Sequence, residues 1–291
     1  MSAADSFCLM CRLQEVSVKP QDLIVDILFT DPWLHQYKHV LHRWNYVRFR
    51  YVRLQGIMIM AFCKRQHLTH LRGIQTDYTR TGFGGMWGNK GGTSLRFSVY
   101  GCSVCVVNSH LASGDDFVKQ RIEDYNSIME KQKFIDPQTR SILSHDYVFW
   151  MGDLNFRFDQ LDTEEVVSLI DSSNYLALHS HDQLGEVMAS GEAFSEFTES
   201  PPLFPPTYKF EIDSCNYNLR SAVLPPSDLL FNCYCCGRRK PAWTDRILFR
   251  YTKNAYSNVL LGLKQNNYCS HHNYTQSDHK PVFSSFNIKV S

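Results

Sequence analysis

FWMGDLNFR, residues 149–157, is the stretch that decides the fold. The apolar run 147–150 is short, aromatic and β-branched, which is typical of a buried strand. Gly152 is expected to end this strand, and Asp153 and Asn155 then follow at its carboxyl end, where α/β sheets usually present reactive groups. With one residue between them, the acid and the amide are expected to point to the same side. The alternative interpretation is a plain turn, because Gly, Asp and Asn are all common turn residues.

Composition limits the class of protein. The chain has 291 residues, of which 43% are hydrophobic, enough for a substantial core. A formal net charge of +1 argues against the global basic field of a non-specific nucleic-acid binder, so we expect no nucleic-acid partner and only local recognition of anions. Residues 1–7 lack a secretory signal, and the longest apolar run, 56–63, is far shorter than the roughly 20 residues that span a bilayer. We therefore expect a cytoplasmic protein.

Ten cysteines raise the question of disulfides or a metal site. Because Cys63, Cys102 and Cys105 lie in apolar, strand-like runs of a chain without a signal, reduced and buried thiols are favoured. Cys233 and Arg239 have the Cys-x5-Arg spacing of cysteine-nucleophile phosphatases, but residue 232 is Asn rather than His. Cys233 lies in a cluster with Cys235 and Cys236. This part of the sequence does not show the two pairs of closely spaced cysteines that are typical of a zinc site. Both alternatives are less favoured than a site built from carboxylates.

Strand-like and helix-like segments alternate along the chain without internal repeats. This pattern predicts one α/β domain with mixed sheets. Strands are expected at 51–64 (as a pair or as one long bent strand), 93–100, 102–108, 147–150, 246–250 and 282–288. Helices are expected at 21–28, 33–41, 117–133 and 164–174.

Acids, amides and histidines recur where the predicted strands begin or end. The set comprises Glu15, His110, Asp153, Asn155, Asp245, Asp278 and His279. Each alone is more often a surface or structural residue, but the recurrence at strand ends is hard to attribute to chance. A hard cation such as Mg²⁺ prefers carboxylate and amide oxygens and polarises phosphoryl oxygens, while a carboxylate orients or deprotonates water. A histidine held by an acid can donate to a phosphoryl oxygen. The set therefore predicts metal-assisted phosphoester hydrolysis.

Residues 149–157 and 241–248 together resemble the two signature motifs of the inositol polyphosphate 5-phosphatases. Segments 79–92, 204–210 and 277–282 are similar to that family as well. The resemblance implies a four-layer α/β/β/α sandwich of the exonuclease-endonuclease-phosphatase type. It also implies Mg²⁺-dependent removal of the 5-phosphate from phosphoinositides, such as phosphatidylinositol 4,5-bisphosphate and 3,4,5-trisphosphate, and from soluble inositol polyphosphates.

The same resemblance assigns a role to each site residue. Glu15 would hold the metal, Asp153 would activate water, and Asn155 would orient the water or the phosphate. His279 would stabilise the transferred phosphoryl group, Asp245 would hold its imidazole, Asp278 would assist near the metal, and His110 would bind the scissile phosphate. Asn89 and Lys90 would contact the 1-phosphate of the substrate, and Tyr208, Lys209 and Arg239 its 4-phosphate.

Partners follow from the same resemblance. It implies phosphoinositide lipids or inositol polyphosphates as ligands and peripheral attachment of a monomer to a membrane surface. Phe83, Met86 and Trp87 lie beside a Gly-rich loop, and two interpretations stay open for them. They either dip into the membrane or pack in the core.

The sequence also departs from the family pattern. Family members carry a strand ending in Thr-Trp-Asn before the Leu-Gln-Glu element, and residues 5–12 contain no such motif. We therefore expect a single catalytic domain over residues 1–291 with an N-terminal strand missing and a variable loop at about 213–239. The alternative function is a catalytically impaired homologue that binds phosphoinositide without turnover.

Overall fold

The computed structural model describes residues 7–14, 32–219, 239–253 and 261–290. The predicted helix at 21–28 and most of the 213–239 loop lie outside these ranges. The strands are β1 Cys8–Leu13, β2 Tyr46–Leu54, β3 Ile57–Lys64, β4 Leu71–Thr81, β5 Trp87–Val99, β6 Cys102–His110, β7 Tyr147–Asp153, β8 Asp245–Tyr251, β9 Gly262–Ser270 and β10 Val282–Lys289. The α-helices of five or more residues are α1 Pro32–His42, α2 Val118–Lys131, α3 Thr163–Asp171, α4 Tyr175–His179 and α5 Gln183–Ser190.

Two sheets and a hairpin organise these strands. The larger sheet has the order β4-β5-β6-β7-β8, in which β6 and β7 are parallel and the other neighbours are antiparallel. The second sheet has the order β1-β3-β2, and β9 and β10 form an antiparallel hairpin. The prediction of a mixed sheet is thus confirmed.

Strand β3 shows why the layers stack as they do. All residues from Ile57 to Cys63 are buried, because both faces of the strand are covered. Ile59 and Ala61 pack between the sheets, whereas Met58 and Met60 pack toward Leu34 of α1. The outer face of the larger sheet is covered by apolar residues of α2 and α5. The order helix, sheet, sheet, helix confirms the four-layer sandwich.

Strand β1 is relevant to the prediction that an N-terminal strand of the family is missing. Its six residues pair with β3, from the Cys8–Cys63 pair to the Leu13–Met58 pair. Within the described residues β1 pairs on one side only, and its last residue, Leu13, is the first residue of the Leu-Gln-Glu element. That a further strand is missing before it stays a prediction.

Strand β7 does not end at Gly152, so that expectation is wrong. The strand continues through Asp153, because Gly152 pairs with both Ser109 of β6 and Arg246 of β8. The register leaves no space for a side chain at this position. A Cβ on Gly152 would lie 2.0 Å from the Ser109 carbonyl oxygen, so only glycine fits.

We predict that Gly152→Ala lowers the free energy of unfolding by about 3 kcal/mol, because the strands beside the site must separate to admit the methyl group. Gly185→Ala in α5 is the matched control. The nearest atom to its Cβ would be 4.0 Å away, and alanine there should stabilise by roughly 0.5–1 kcal/mol. Urea denaturation of both variants measures the difference. Equal stabilities would contradict the close packing of β6 on β7.

The cysteines that were expected in the core lie there. Cys63, Cys102 and Cys105 are free and buried, which confirms that interpretation. Cys233, Cys235 and Cys236 lie outside the described residues. None of the described helices combines the length and the apolar character needed to cross a membrane.

Candidate active site

Three polar residues stand in one row across the larger sheet. His110 of β6 is in register with Asp153 of β7, which is in register with Asp245 of β8. Neighbouring residues in register point to the same face of a sheet, here the face that also carries Met151 and Ile247 of the inter-sheet core. All three side chains of the row are buried. The row therefore lies where the apolar core between the two sheets ends.

Asp153 is surrounded by cationic and protonatable groups. Its Oδ2 lies 3.2 Å from His110 Nε2, and the same nitrogen contacts Lys90 Nζ. Burial alone would raise the pKa of Asp153, but the charges of His110, His279 and Lys90 outweigh that effect and hold the pKa far below its usual range. Asp153 is thus an ionised carboxylate throughout the physiological pH range.

Asp245 and His279 form a second pair. His279 Nδ1 lies 2.8 Å from Asp245 Oδ2, and the hydroxyls of Thr207 and Thr244 donate to the same oxygen at 3.1 and 3.0 Å. Burial would lower the pKa of His279, but the charge and hydrogen bond of Asp245 and the charge of Asp153 raise it to about 9. His279 is therefore an imidazolium at neutral pH, with Nδ1 donating to Asp245.

Asn155 reaches the site by a turn rather than along the strand. Its φ of 57° is left-handed, and its backbone N–H donates to Asp153 Oδ1 at 3.1 Å. The amide group donates to Leu111 O at 3.1 Å and accepts from Arg157 at 2.7 Å. Asn155 lies beyond the end of β7 at Asp153, so this turn and not strand alternation sets its position. That the two side chains point to the same side stays a prediction. This local geometry is compatible with both interpretations, and the roles of Asp153 and Asn155 in a site stay predictions.

The end of β1 brings in two residues that the sequence analysis missed. Arg12 Nη2 lies 3.4 Å from Asp245 Oδ1, and its Nη1 donates to Gln14 Oε1 at 2.8 Å. Gln14 in turn donates to Asn108 Oδ1 at 2.7 Å. Since Arg12 precedes the Leu-Gln-Glu element by one residue, its position next to that motif was the only sequence signal.

Tyr208 and Lys209 stand at the margin of the site. The Tyr208 ring centroid lies 4.6 Å from that of His279 and 4.5 Å from the Arg157 guanidinium. Lys209 Nζ forms an ion pair with Asp278 Oδ2 at 2.8 Å, and both side chains are partly exposed. Asp278 thus faces Lys209, while its neighbour His279 faces Asp245. The Tyr208 ring thus lies between the imidazole of His279 and the guanidinium of Arg157.

Several predicted residues are not joined to this cluster. Glu15 lies outside the described residues. Asn89 is exposed, with its amide oxygen packed against Gly82. Arg239 is half-buried, and within the described residues no hydrogen bond or ion pair links it to Tyr208 or Lys209. The structure thus brings Lys90 to His110 but leaves Asn89 and Arg239 apart.

Three apolar side chains in the loop beside Lys90 were predicted either to pack in the core or to contact a membrane, and their exposure tests the first interpretation. Phe83, Met86 and Trp87 are 81%, 69% and 59% exposed, so the interpretation that they pack in the core is wrong. Their contact with a membrane stays a prediction.

The donor chemistry near the row suits a hard divalent cation. It consists of carboxylate oxygens from Asp153 and Asp245 and amide oxygens from Gln14 and Asn108, ligand types that Mg²⁺ and Ca²⁺ prefer. In the parts of the chain that the structure describes, no three His, Cys, Asp or Glu side chains form a complete metal site. Gln14, the residue before the predicted ligand Glu15, contacts Asn108 beside the row. The oxygen donors of the described residues therefore fit the chemistry of such a cation.

Comparison with known proteins gives consistent matches. Residues 5–285 match the model of endonuclease/exonuclease/phosphatase family 2. Phosphatidylinositol 4,5-bisphosphate 5-phosphatase A of Mus musculus is 38% identical over 96% of this chain, and inositol polyphosphate 5-phosphatase K of Mus musculus is 36% identical over 96%. The chain spans 27% and 58% of these two proteins.

A solved structure agrees in fold. The inositol polyphosphate 5-phosphatase domain of SPsynaptojanin, in complex with inositol (1,4)-bisphosphate and calcium ion, superimposes with a TM-score of 0.73 at 32% identity. The match covers 98% of this chain and 76% of that one.

Proposed function

Because the chain belongs to the inositol polyphosphate 5-phosphatases of the endonuclease/exonuclease/phosphatase family, we propose that it hydrolyses the 5-phosphate of phosphoinositides and soluble inositol polyphosphates. The observation that carries the proposal is the ionised Asp153 beside the Asp245–His279 pair. The ligand of the solved relative is consistent with it, since inositol (1,4)-bisphosphate is what remains when inositol 1,4,5-trisphosphate loses its 5-phosphate.

Asp153 orients the attacking water in this proposal. A carboxylate with a strongly depressed pKa is a weak base, but it accepts a hydrogen bond at every relevant pH. Phosphoryl transfer passes through a loose transition state, so positioning the water contributes more than an early proton transfer. The backbone N–H of Asn155 and the ring of His110 hold the carboxylate in place. Lys90 adds a positive charge that suits a phosphate.

His279 opposes the charge that develops on the phosphoryl oxygens. With Nδ1 committed to Asp245, its Nε2–H is free to donate to an equatorial oxygen or to the leaving oxygen. Tyr208 packs against the imidazolium, and Lys209 forms an ion pair with Asp278, the residue before His279. These groups favour a substrate with a second phosphate next to the scissile one.

Magnesium is the proposed cofactor, held by Glu15 next to the row. When bound, it would polarise the scissile phosphate as a Lewis acid. Its presence is tested by phosphate release with Mg²⁺ and after chelation, together with the midpoint of thermal unfolding in both conditions. We expect release and a higher midpoint with Mg²⁺ only.

Phosphate release from short-chain phosphatidylinositol 4,5-bisphosphate, the 3,4,5-trisphosphate and inositol 1,4,5-trisphosphate tests the reaction itself. We expect turnover of at least one of them and none of an abasic DNA duplex. Binding of the lipid without release would favour the alternative of an impaired homologue.

The pH dependence follows from His279. Its raised pKa keeps the imidazolium present below about 9, and deprotonation removes it as the pH rises through that value. We predict that kcat/KM falls above about pH 9. Asp245→Asn removes the carboxylate that raises the pKa, so the fall should move to lower pH. An unchanged profile in this variant would contradict the assignment.

Removal of Arg12 is predicted to shift the pH profile in the direction opposite to that expected for Asp245→Asn. The Arg12 guanidinium and His279 both interact with the Asp245 carboxylate. In Arg12→Gln the negative charge of Asp245 should therefore stabilise the imidazolium more strongly and raise the pKa of His279. The fall in kcat/KM should then move to higher pH, whereas Arg12→Lys should leave it near the wild-type value. A downward shift in Arg12→Gln would show that Arg12 supports the pair in some other way.

A further inference from the structure

Charge is unevenly distributed along the chain. Although its net charge is only +1, one segment contains no acidic residues. Residues 32–76 contain no Asp or Glu, but they contain eight Lys or Arg residues and five His residues. The segment therefore carries a formal charge of +8, and the rest of the chain carries −7, because the whole chain has +1. It forms α1, β2, β3 and the first residues of β4.

Seven of these basic side chains are exposed on the surface that α1 and β2 form. We call this surface the basic face and define it by His35, Lys38, His39, His42, Arg43, Arg48 and Arg50. The first five line one surface groove along α1. Arg48 and Arg50 lie on β2, the edge strand of its sheet, which packs beside α1.

The cations of this face have few anionic neighbours. Arg43 lies 3.5 Å from His39 Nε2, and Arg50 donates to Thr76 Oγ1 at 3.2 Å, so neither guanidinium group contacts a carboxylate among the described residues. In the described part of the chain, Lys38, Arg43 and Arg48 take part in no ion pair. A concentration of exposed charge without internal partners costs stability through repulsion. An external polyanion would relieve that repulsion.

Apolar side chains flank the cations. Trp33 and Trp44 are 51% and 55% exposed at the two ends of α1, and Val40 between them is 55% exposed. Tryptophan prefers the interface between lipid headgroups and acyl chains, and clustered basic residues are attracted to anionic lipids. A helix with cations and interfacial side chains on its exposed surface is suited to lie on a bilayer.

We infer that the basic face of α1 and β2 is a docking surface for bilayers rich in anionic phospholipid, separate from the site that holds Asp153. The inference deepens the proposed function, because it names the surface that would hold the enzyme at the membrane of a lipid substrate. It does not require the phosphoinositide itself. The flanking Trp33, Val40 and Trp44 favour a bilayer over a nucleic acid.

Co-sedimentation with vesicles that contain no phosphoinositide tests this surface. The protein should bind phosphatidylcholine vesicles with about 30% phosphatidylserine but not pure phosphatidylcholine, and binding should weaken as salt rises from about 0.1 to 0.5 M. Lys38→Gln/Arg43→Gln/Arg48→Gln should bind on the order of 100-fold more weakly, since each cation near an anionic surface contributes roughly 5-fold.

The matched control removes three exposed cations from the opposite outer layer, in Lys119→Gln/Lys131→Gln/Arg140→Gln. It should bind vesicles nearly as wild type does. Equal losses in both triple variants, wild-type binding by the α1 variant, or no binding of wild type to anionic vesicles would overturn the inference. Stronger binding to a DNA duplex than to the vesicles, lost in the α1 variant, would overturn it in favour of a nucleic acid.

Hydrolysis of soluble inositol 1,4,5-trisphosphate by the α1 variant separates this inference from the proposed function. We expect a wild-type rate, since no residue of the basic face touches the row of His110, Asp153 and Asp245. If no protein releases phosphate while vesicle binding behaves as described, the proposed function fails and the docking surface stands. If turnover is normal but the vesicle results differ, only the docking surface fails.

Discussion

Asp153→Asn is expected to reduce kcat by about 10³- to 10⁴-fold, the largest effect of any single substitution in the site. The carboxylate is the anionic centre toward which His110, His279 and Lys90 are directed. Asparagine has the same shape but no charge, so its amide oxygen holds the attacking water by a weaker hydrogen bond. Phosphate release at saturating substrate measures the effect.

Binding distinguishes loss of catalysis from loss of structure in this variant. Removing a negative charge beside a polyanionic substrate should leave the affinity for inositol 1,4,5-trisphosphate equal or higher. Titration calorimetry on Asp153→Asn tests this directly. A variant that keeps more than about a tenth of the wild-type kcat would exclude Asp153 from the role proposed here.

His279→Gln is expected to reduce kcat by about 10²- to 10³-fold. Glutamine keeps a donor near the phosphoryl oxygen but lacks the positive charge that Asp245 maintains up to about pH 9. Asp245→Asn should have a milder effect that depends on pH. It keeps the imidazole and lowers its pKa, so its activity relative to wild type should be higher at pH 6 than at pH 8.

The comparison of these two variants identifies the active form of the ring. If His279→Gln and Asp245→Asn lose the same factor at every pH, the ring does not act as an imidazolium. Thermal unfolding of both variants serves as the control, because Thr207 and Thr244 still donate to residue 245 in either protein.

The sequence predicted the apolar strands well and the polar strands poorly. The segments 102–108, 147–150 and 246–250 became β6, β7 and β8, because strands buried on both faces are recognisable from apolar runs alone. Strands β4 and β9 were not predicted. Both are rich in polar residues, lie at sheet edges and contain few buried side chains, so no period of two marks them.

The sequence predicted the site residues that belong to recognisable motifs, but it did not predict how they contact one another. Residues that follow or precede a strand, such as Asp153 and His279, could be named, but the register that aligns His110, Asp153 and Asp245 is a property of the assembled sheet. Arg12 could not be assigned, because its importance comes from a partner more than 200 residues away. The pairing of Lys90 with His110 depends likewise on β5 lying against β6.

The most direct test of the proposed function is the position of the phosphate that is released. Inositol 1,4,5-trisphosphate labelled at the 5-phosphate should lose its label with Mg²⁺ and leave inositol 1,4-bisphosphate, and Asp153→Asn should release almost none. Loss of the 1- or 4-phosphate instead, or equal release by wild type and Asp153→Asn, would contradict the account.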